Sequence, residues 1–273
     1  MKNIKLTLIF LLLVVITSSC AQTKKGFQWP NGAQSALSLT YDDGLPSHIN
    51  TVAPILKKYN FKATFYITMS SPSLYEEMSK WKNLAIEGHE LGNHTNYHPC
   101  QKSVEGMEWV PDYYDLDKYT TQQIADEIKV ANTLLLAMDG EKTRTFAYPC
   151  AHTFAGGKSY KEIVDTQFIA ARGSSGEQEP LHKPTEIDLL NVQSWSPNNH
   201  SAEELIAYIK NSLEQETFTT ITFHGIGAEH LRVSAEDHEK MLQFLDANRD
   251  KIWVATFKEV TAYLKSKRSG LNK

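Results

Sequence analysis

Eight short apolar runs of β character, separated by helical or polar stretches, limit this chain to a narrow set of folds. They fall at 36–41, 63–68, 89–94, 144–148, 167–171, 189–195, 218–223 and 252–256. Helix starts stand between them. Thr120-Thr121-Gln122-Gln123 and Ser201-Ala202-Glu203-Glu204 have the spacing of a capping box, and Ser234-Ala235-Glu236-Asp237 is a weaker version. Ile124, Ile128, Ala131, Leu134 and Leu135 then follow helical apolar spacing. Strands alternating with helices give a parallel sheet covered by helices. Seven or eight such units predict an α/β fold, a distorted (β/α)7-8 barrel forming a single domain over 21–273. In such barrels chemistry collects at the carboxyl ends of the strands. The polar exceptions fall there: Asp42 and Asp43 after the first run, His94 and His98 after the third, and Pro149-Cys150 after the fourth. Arg172, Trp195 and His224 end the fifth, sixth and seventh.

His94 and His98 are four positions apart, so one helical turn puts both imidazoles on one face. Neutral imidazole offers a metal-binding lone pair at neutral pH. A catalytic zinc takes three protein ligands and leaves a position for water, so a third ligand must come from elsewhere. The Asp42-Asp43 pair is the candidate. Successive strand side chains point to opposite faces, so one carboxylate can bind the metal while the other faces its water as a base. The competing reading makes them caps of a helix that starts near Ser47. His224 precedes Gly225 and Gly227, which leave room for a substrate, and could protonate a leaving group or simply be core. His48, His152, His182, His200, His230 and His238 are read as structural, and His89 as a core or supporting residue.

Lys2, Lys5, an apolar stretch over 6–16 and small residues up to Cys20 describe a secretory signal over 1–20. The apolar stretch is short for a membrane span. Ser18-Ser19-Cys20 resembles a lipoprotein processing site with Cys20 lipidated, and cleavage after Ala21 is the alternative. The reading is therefore an exported protein, lipid-anchored to a bacterial membrane or else periplasmic or secreted. Without the leader, 26 basic and 32 acidic residues give a net charge of −6, no footprint for nucleic acid. Cys100 and Cys150 each follow a proline beside a suspected site element. They form a disulfide if both segments line one pocket, or remain two separate thiols. Trp109, Tyr113 and Tyr114 read as anchors of a long loop, with a lid or sugar-stacking edge as the alternative. Gly173-Ser174-Ser175-Gly176 reads as a flexible turn without the context of a phosphate loop.

Thr40-Tyr41-Asp42-Asp43-Gly44, His94-Thr95-Asn96-Tyr97-His98-Pro99, Phe146-Ala147-Tyr148-Pro149 and Ile221-Thr222-Phe223-His224 together resemble, in order, the motifs of the polysaccharide deacetylases of carbohydrate esterase family four. That family includes chitin, chitooligosaccharide and peptidoglycan deacetylases and some acetylxylan esterases. The resemblance implies a divalent metal, usually zinc, bound by Asp43, His94 and His98, with Asp42 as general base and His224 as general acid. It implies an acetylated glycan as substrate and an oxyanion contact from the Cys150 backbone, next to Tyr148. Three positions depart from the family pattern. Ala147 replaces an arginine that orients the catalytic aspartate, Cys150 replaces the tyrosine that ends the third motif, and Trp195 lacks its partner aspartate. Arg172 is the candidate to supply the guanidinium from another direction. The competing functions are an O-acetyl esterase of xylan type and a glycan-binding protein that has lost turnover.

Overall fold

The computed structural model describes residues 27–173 and 183–271. The leader with Cys20, His182 and residues 174–176 of the predicted turn lie outside the described residues. Strand β1 (Ser35–Asp42) is buried along its whole length, because it is paired on both sides and covered on both faces. On one side it runs parallel to β8 (Phe218–Phe223). On the other it meets β9 (Ile252–Val254) at its start and β2 (Thr64–Ile67) at its end. The sheet continues through β3 (Glu90–Asn93), β4 (Phe146–Ala147) and β7 (Ala171–Arg172). A small antiparallel pair, β5 (Phe154–Ala155) and β6 (Lys158–Ser159), stands apart.

Parallel strands curled into a barrel with helices outside are what the eight apolar runs predict. The sixth run differs in detail: it makes single bridges, Val192 to Arg172 and Trp195 to Ile221, and through them spans the gap between β7 and β8. The fifth run also shifts. Helix α5 (Lys161–Gln167) carries through its first residue, and the strand begins only at Ala171. Short hydrophobic runs do not separate strand from buried helix by periodicity.

The outer layer comprises α1 (Ala53–Lys58), entered through a π-helical turn at His48–Val52, α2 (Pro72–Glu76), α3 (Met78–Ile86), α4 (Thr121–Asp139), α6 (Ala202–Glu214), α7 (Ala235–Asp246) and α8 (Phe257–Leu271). Both predicted capping boxes form, at Thr120 with Gln123 and at Ser201 with Glu204. Ser234 caps α7 through the Asp237 N–H. Among the described residues no helix is long and apolar enough to cross a membrane.

Alternation along β1 decides what faces the barrel axis. Leu37, Leu39 and Tyr41 join the core shared with the outer helices. Ser38 and Thr40 bond to the Ala255 and Ile221 carbonyls, and Asp42 extends the same inward row. Gly92 has no side chain because a Cβ there would lie 2.4 Å from the Tyr66 ring, which fills the barrel.

Candidate metal centre

The carboxyl ends of the strands open into a cavity of about 870 Å³ lined by Asp42, Asp43, His94, His98, Arg172 and His224 among others. Asp42 is the last residue of β1. At Asp43 the backbone turns to a φ of 76°, so neighbouring carboxylates leave the strand in different directions. Asp43 Oδ1 lies 3.5 Å from His94 Nε2 and 3.5 Å from His98 Nε2. Those separations are long for hydrogen bonds. Two donors about 2.1 Å from a tetrahedral ion stand about 3.4 Å apart, so the spacing suits a shared zinc-like ion. His94 supports this from its other side, where Nδ1 lies 2.9 Å from the Ala147 carbonyl. That partner leaves the buried Nε2 as acceptor, with no hydrogen-bond partner among the described residues.

The electrostatics also favour a cation. Burial pushes the Asp43 carboxyl up, but a hydrogen bond from His230 and the nearby His94 and His98 imidazoles outweigh it and hold it well below the usual range. Burial disfavours charge on His94, yet the Asp42 and Asp43 carboxylates raise its pKa. Burial dominates at His98, lowering it to about 4 despite Asp43. His98 thus presents a neutral lone pair at neutral pH.

Asp42 is 4 % exposed and is clasped by Arg172, whose guanidinium also donates to Thr222 Oγ1, Ser194 Oγ and the Gly173 carbonyl. Asp42 Oδ1 remains buried and unpartnered among the described residues. The guanidinium therefore reaches Asp42 from β7, while Ala147 supplies only its carbonyl to His94. His224 lines the cavity with Nδ1 3.5 Å from Ser196 Oγ, and its carbonyl accepts from His48 Nε2 at 2.9 Å. Burial lowers its pKa, with Asp42 and Asp43 opposing.

Cys100 and Cys150 are joined in a disulfide, with Cα atoms 5.9 Å apart. It ties the chain just beyond His98 to the cavity wall formed by Tyr148 and Cys150, the latter at a φ of 53°. Trp195, which ends the sixth run where chemistry was expected to collect, is instead core: it packs on Tyr208 and His200 and does not line the cavity. Strand alternation explains this, since Ser194 and Ser196 face Arg172 and His224 and turn Trp195 away. Trp109, expected as an anchor, is 61 % exposed and lines the cavity, whereas Tyr114 does stack, on Tyr97.

Two contributors escaped the sequence reading. Glu127 on α4 accepts from the Asn96 and Tyr97 N–H groups and from the Tyr119 hydroxyl, holding the loop between the two histidines. His230, read as structural, places Nε2 2.9 Å from Asp43 Oδ2. The signal for it lay in Gly225 and Gly227: a Cβ at Gly225 would sit 1.8 Å from the Ala228 carbonyl oxygen, so the chain turns back tightly there.

A family model described as polysaccharide deacetylase matches residues 29–155. The chain is 26 % identical over 262 residues to the gellan lyase of a Bacillus species, covering 86 % of this chain and 10 % of that protein. It is 26 % identical over 143 residues to the peptidoglycan-N-acetylmuramic acid deacetylase PdaA of Bacillus subtilis, covering 50 % of this chain and 46 % of the relative. It spans less than half the length of the curated relatives it matches. The family-four esterase domain of a multidomain xylanase from the hindgut metagenome of Trinervitermes trinervoides superposes with a TM-score of 0.56 at 17 % identity, covering 84 % of this chain and 90 % of that one. At that identity the likeness is one of fold.

Proposed function

We propose, from the polysaccharide deacetylase family to which residues 29–155 belong, that this protein is a metal-dependent hydrolase removing acetyl groups from a carbohydrate outside the cytoplasm. An N-acetylglucosamine-type poly- or oligosaccharide is the leading substrate and an acetylated xylan the runner-up. The observation that carries the reading is Asp43 Oδ1 set 3.5 Å from both imidazole nitrogens at the floor of the cavity. Asp43, His94 and His98 would hold the ion, and their donor set suits Zn2+. When bound, such an ion polarises the acetyl carbonyl and acidifies the attacking water. Asp42, fixed through Oδ2 by Arg172, keeps Oδ1 free to take the proton of that water. His224 donates a proton to the sugar nitrogen or oxygen as its bond to the acetyl carbon breaks, so acetate and a free amine or hydroxyl result. Tyr148 and Cys150 form the wall on which the carbonyl oxygen rests, with the Cys150 N–H as oxyanion donor.

A binding-only reading drew its support from Ala147, where the family carries arginine. The Arg172–Asp42 pair weakens that support. The deciding experiment is acetate release from N-acetylglucosamine oligomers and acetylated xylan, with chelator and after adding back Zn2+. Release that stops on chelation and returns with metal is expected. Glycan binding with no release under any metal would sink the hydrolase reading. Export and an anchor at Cys20 belong to the same proposal. Cell fractionation should find the protein with membranes, and Cys20→Ser should release it.

A further inference from the structure

The Asp43 carboxylate has two oxygens in different surroundings. Oδ1 stands 3.5 Å from each of two imidazole nitrogens, a separation that suits a shared ion. Oδ2 stands 2.9 Å from His230 Nε2, a direct charge-assisted hydrogen bond. The loop that delivers His230 is built for close placement. The Gly225 and His230 backbones bond, N–H to carbonyl, at 3.0 Å, and Val233 N–H returns to the Gly225 carbonyl at 3.0 Å. Both neighbours of His230 are left-handed, Glu229 at a φ of 59° and Leu231 at 44°. Non-glycine residues hold such angles where surrounding contacts over-determine them, often at functional sites. A second tie fixes the loop to the segment after β1. Glu229 Oε1 accepts from the Ser47 N–H at 3.2 Å, and Ser47 Oγ accepts from the Ile226 N–H at 3.3 Å. The loop after β8 and the loop carrying Asp43 are thus locked together at two places, one of them the metal-ligand carboxylate itself.

We propose that His230 is a positioning residue: its Nε2–H holds Asp43 Oδ2 and so presents Oδ1 to the ion between His94 and His98. This rests on the metal reading above and assigns His230 the task of setting metal affinity. A carboxylate held by one oxygen loses its rotational freedom before the ion arrives, and loss of such outer partners weakens metal binding by about 10- to 100-fold.

The test is Zn2+ titration of chelator-stripped protein against a chromophoric competitor, for wild type, His230→Leu and His230→Gln, alongside thermal melts and acetate-release kinetics. The His230 side chain is 55 % exposed, so the variants should fold. Expected are one ion per chain, affinity weakened about 10- to 100-fold in His230→Leu, and recovery to within about 3-fold in His230→Gln, whose amide N–H replaces the donor. Turnover in His230→Leu should fall in kcat at subsaturating zinc with KM for the acetylated glycan little changed. Wild-type zinc affinity in His230→Leu would overturn the proposal, and so would a second ion per chain that this variant loses, which would make His230 a ligand with His224. The expected affinity pattern without acetate release from any glycan upholds this inference while the hydrolase reading fails. A wild-type chain that takes up no ion ends both.

Discussion

The two ends of the barrel each bury a carboxylate and an arginine, and they treat them differently. Glu90, at the start of β3, and Asp42, at the end of β1, are both 4 % exposed. Glu90 receives four hydrogen bonds, from the Thr64 and Thr145 hydroxyls and the Thr145 and Lys258 N–H groups. Arg144 beside it holds Asp139 with two guanidinium nitrogens and donates to the Leu91 and Glu141 carbonyls. At the other end Asp42 keeps one oxygen unpartnered, as are His94 Nε2 and Arg172 Nε among the described residues. Buried polar groups are ordinarily satisfied, because leaving one unpaired costs about 1–3 kcal/mol. The Glu90 and Arg144–Asp139 groups are saturated and act as a structural fastening, although His89 Nε2 beside them is buried without a partner among the described residues. An end that holds unpaired donors and acceptors around a cavity has capacity left for an ion and a substrate.

This contrast can be broken in several ways. The largest effect is expected at Asp43→Ala or His94→Ala: acetate release should fall by about 10³-fold or more, with zinc uptake lost and the melting temperature little changed. A collapse of the fold instead would mean the open end is structural too. Arg172→Met should remove both activity and about 3–5 kcal/mol of stability in urea unfolding, since it strands the Asp42 carboxylate. Combining it with Asp42→Asn should restore most of the stability and none of the turnover. Glu90→Ala should cost about 3 kcal/mol through its abandoned donors while the folded fraction still releases acetate. Replacing Cys100 and Cys150 by alanine opens a loop of 50-residue separation. That should cost about 2–4 kcal/mol, read as a lowered urea midpoint.

A pH dependence of stability is also expected away from the cavity. Burial lowers His238 to about 3 and His89 to about 4. Unfolded, both take up protons near the ordinary value of about 6.5. Between those limits the unfolded chain binds more protons, so stability from these groups is complete above about pH 6.5 and declines as pH falls toward 4. Urea midpoints at pH 7, 6 and 5 should fall in that order.

Strand alternation and the spacing of polar residues made much of this visible in the amino-acid order. The eight runs predicted the parallel barrel, and Asp42, Asp43, His94, His98 and His224 do meet at one cavity. Asp42, His94 and His224 are legible because they sit at strand ends, whereas Asp43 and His98 lie at positive φ beyond them and were read from their neighbours and spacing instead. Trp195 was misplaced by one step of the same alternation, since its run forms only isolated bridges and has no regular register to read. His230 and Glu127 were missed for a different reason. One reaches Asp43 across 187 positions and the other the His94–His98 loop across about 30.

The chain's order alone determined the class of fold, the strand ends where chemistry collects and the residue types able to bind an ion. Tertiary structure alone decided that Arg172, the candidate the sequence offered, reaches Asp42, that Cys100 and Cys150 pair, and that His230 takes the second oxygen of Asp43. The division follows from range. Hydrophobic period and strand alternation act between near neighbours in the chain, whereas a hydrogen bond between distant loops exists only once the barrel has closed and fixed both to within a few tenths of an ångström.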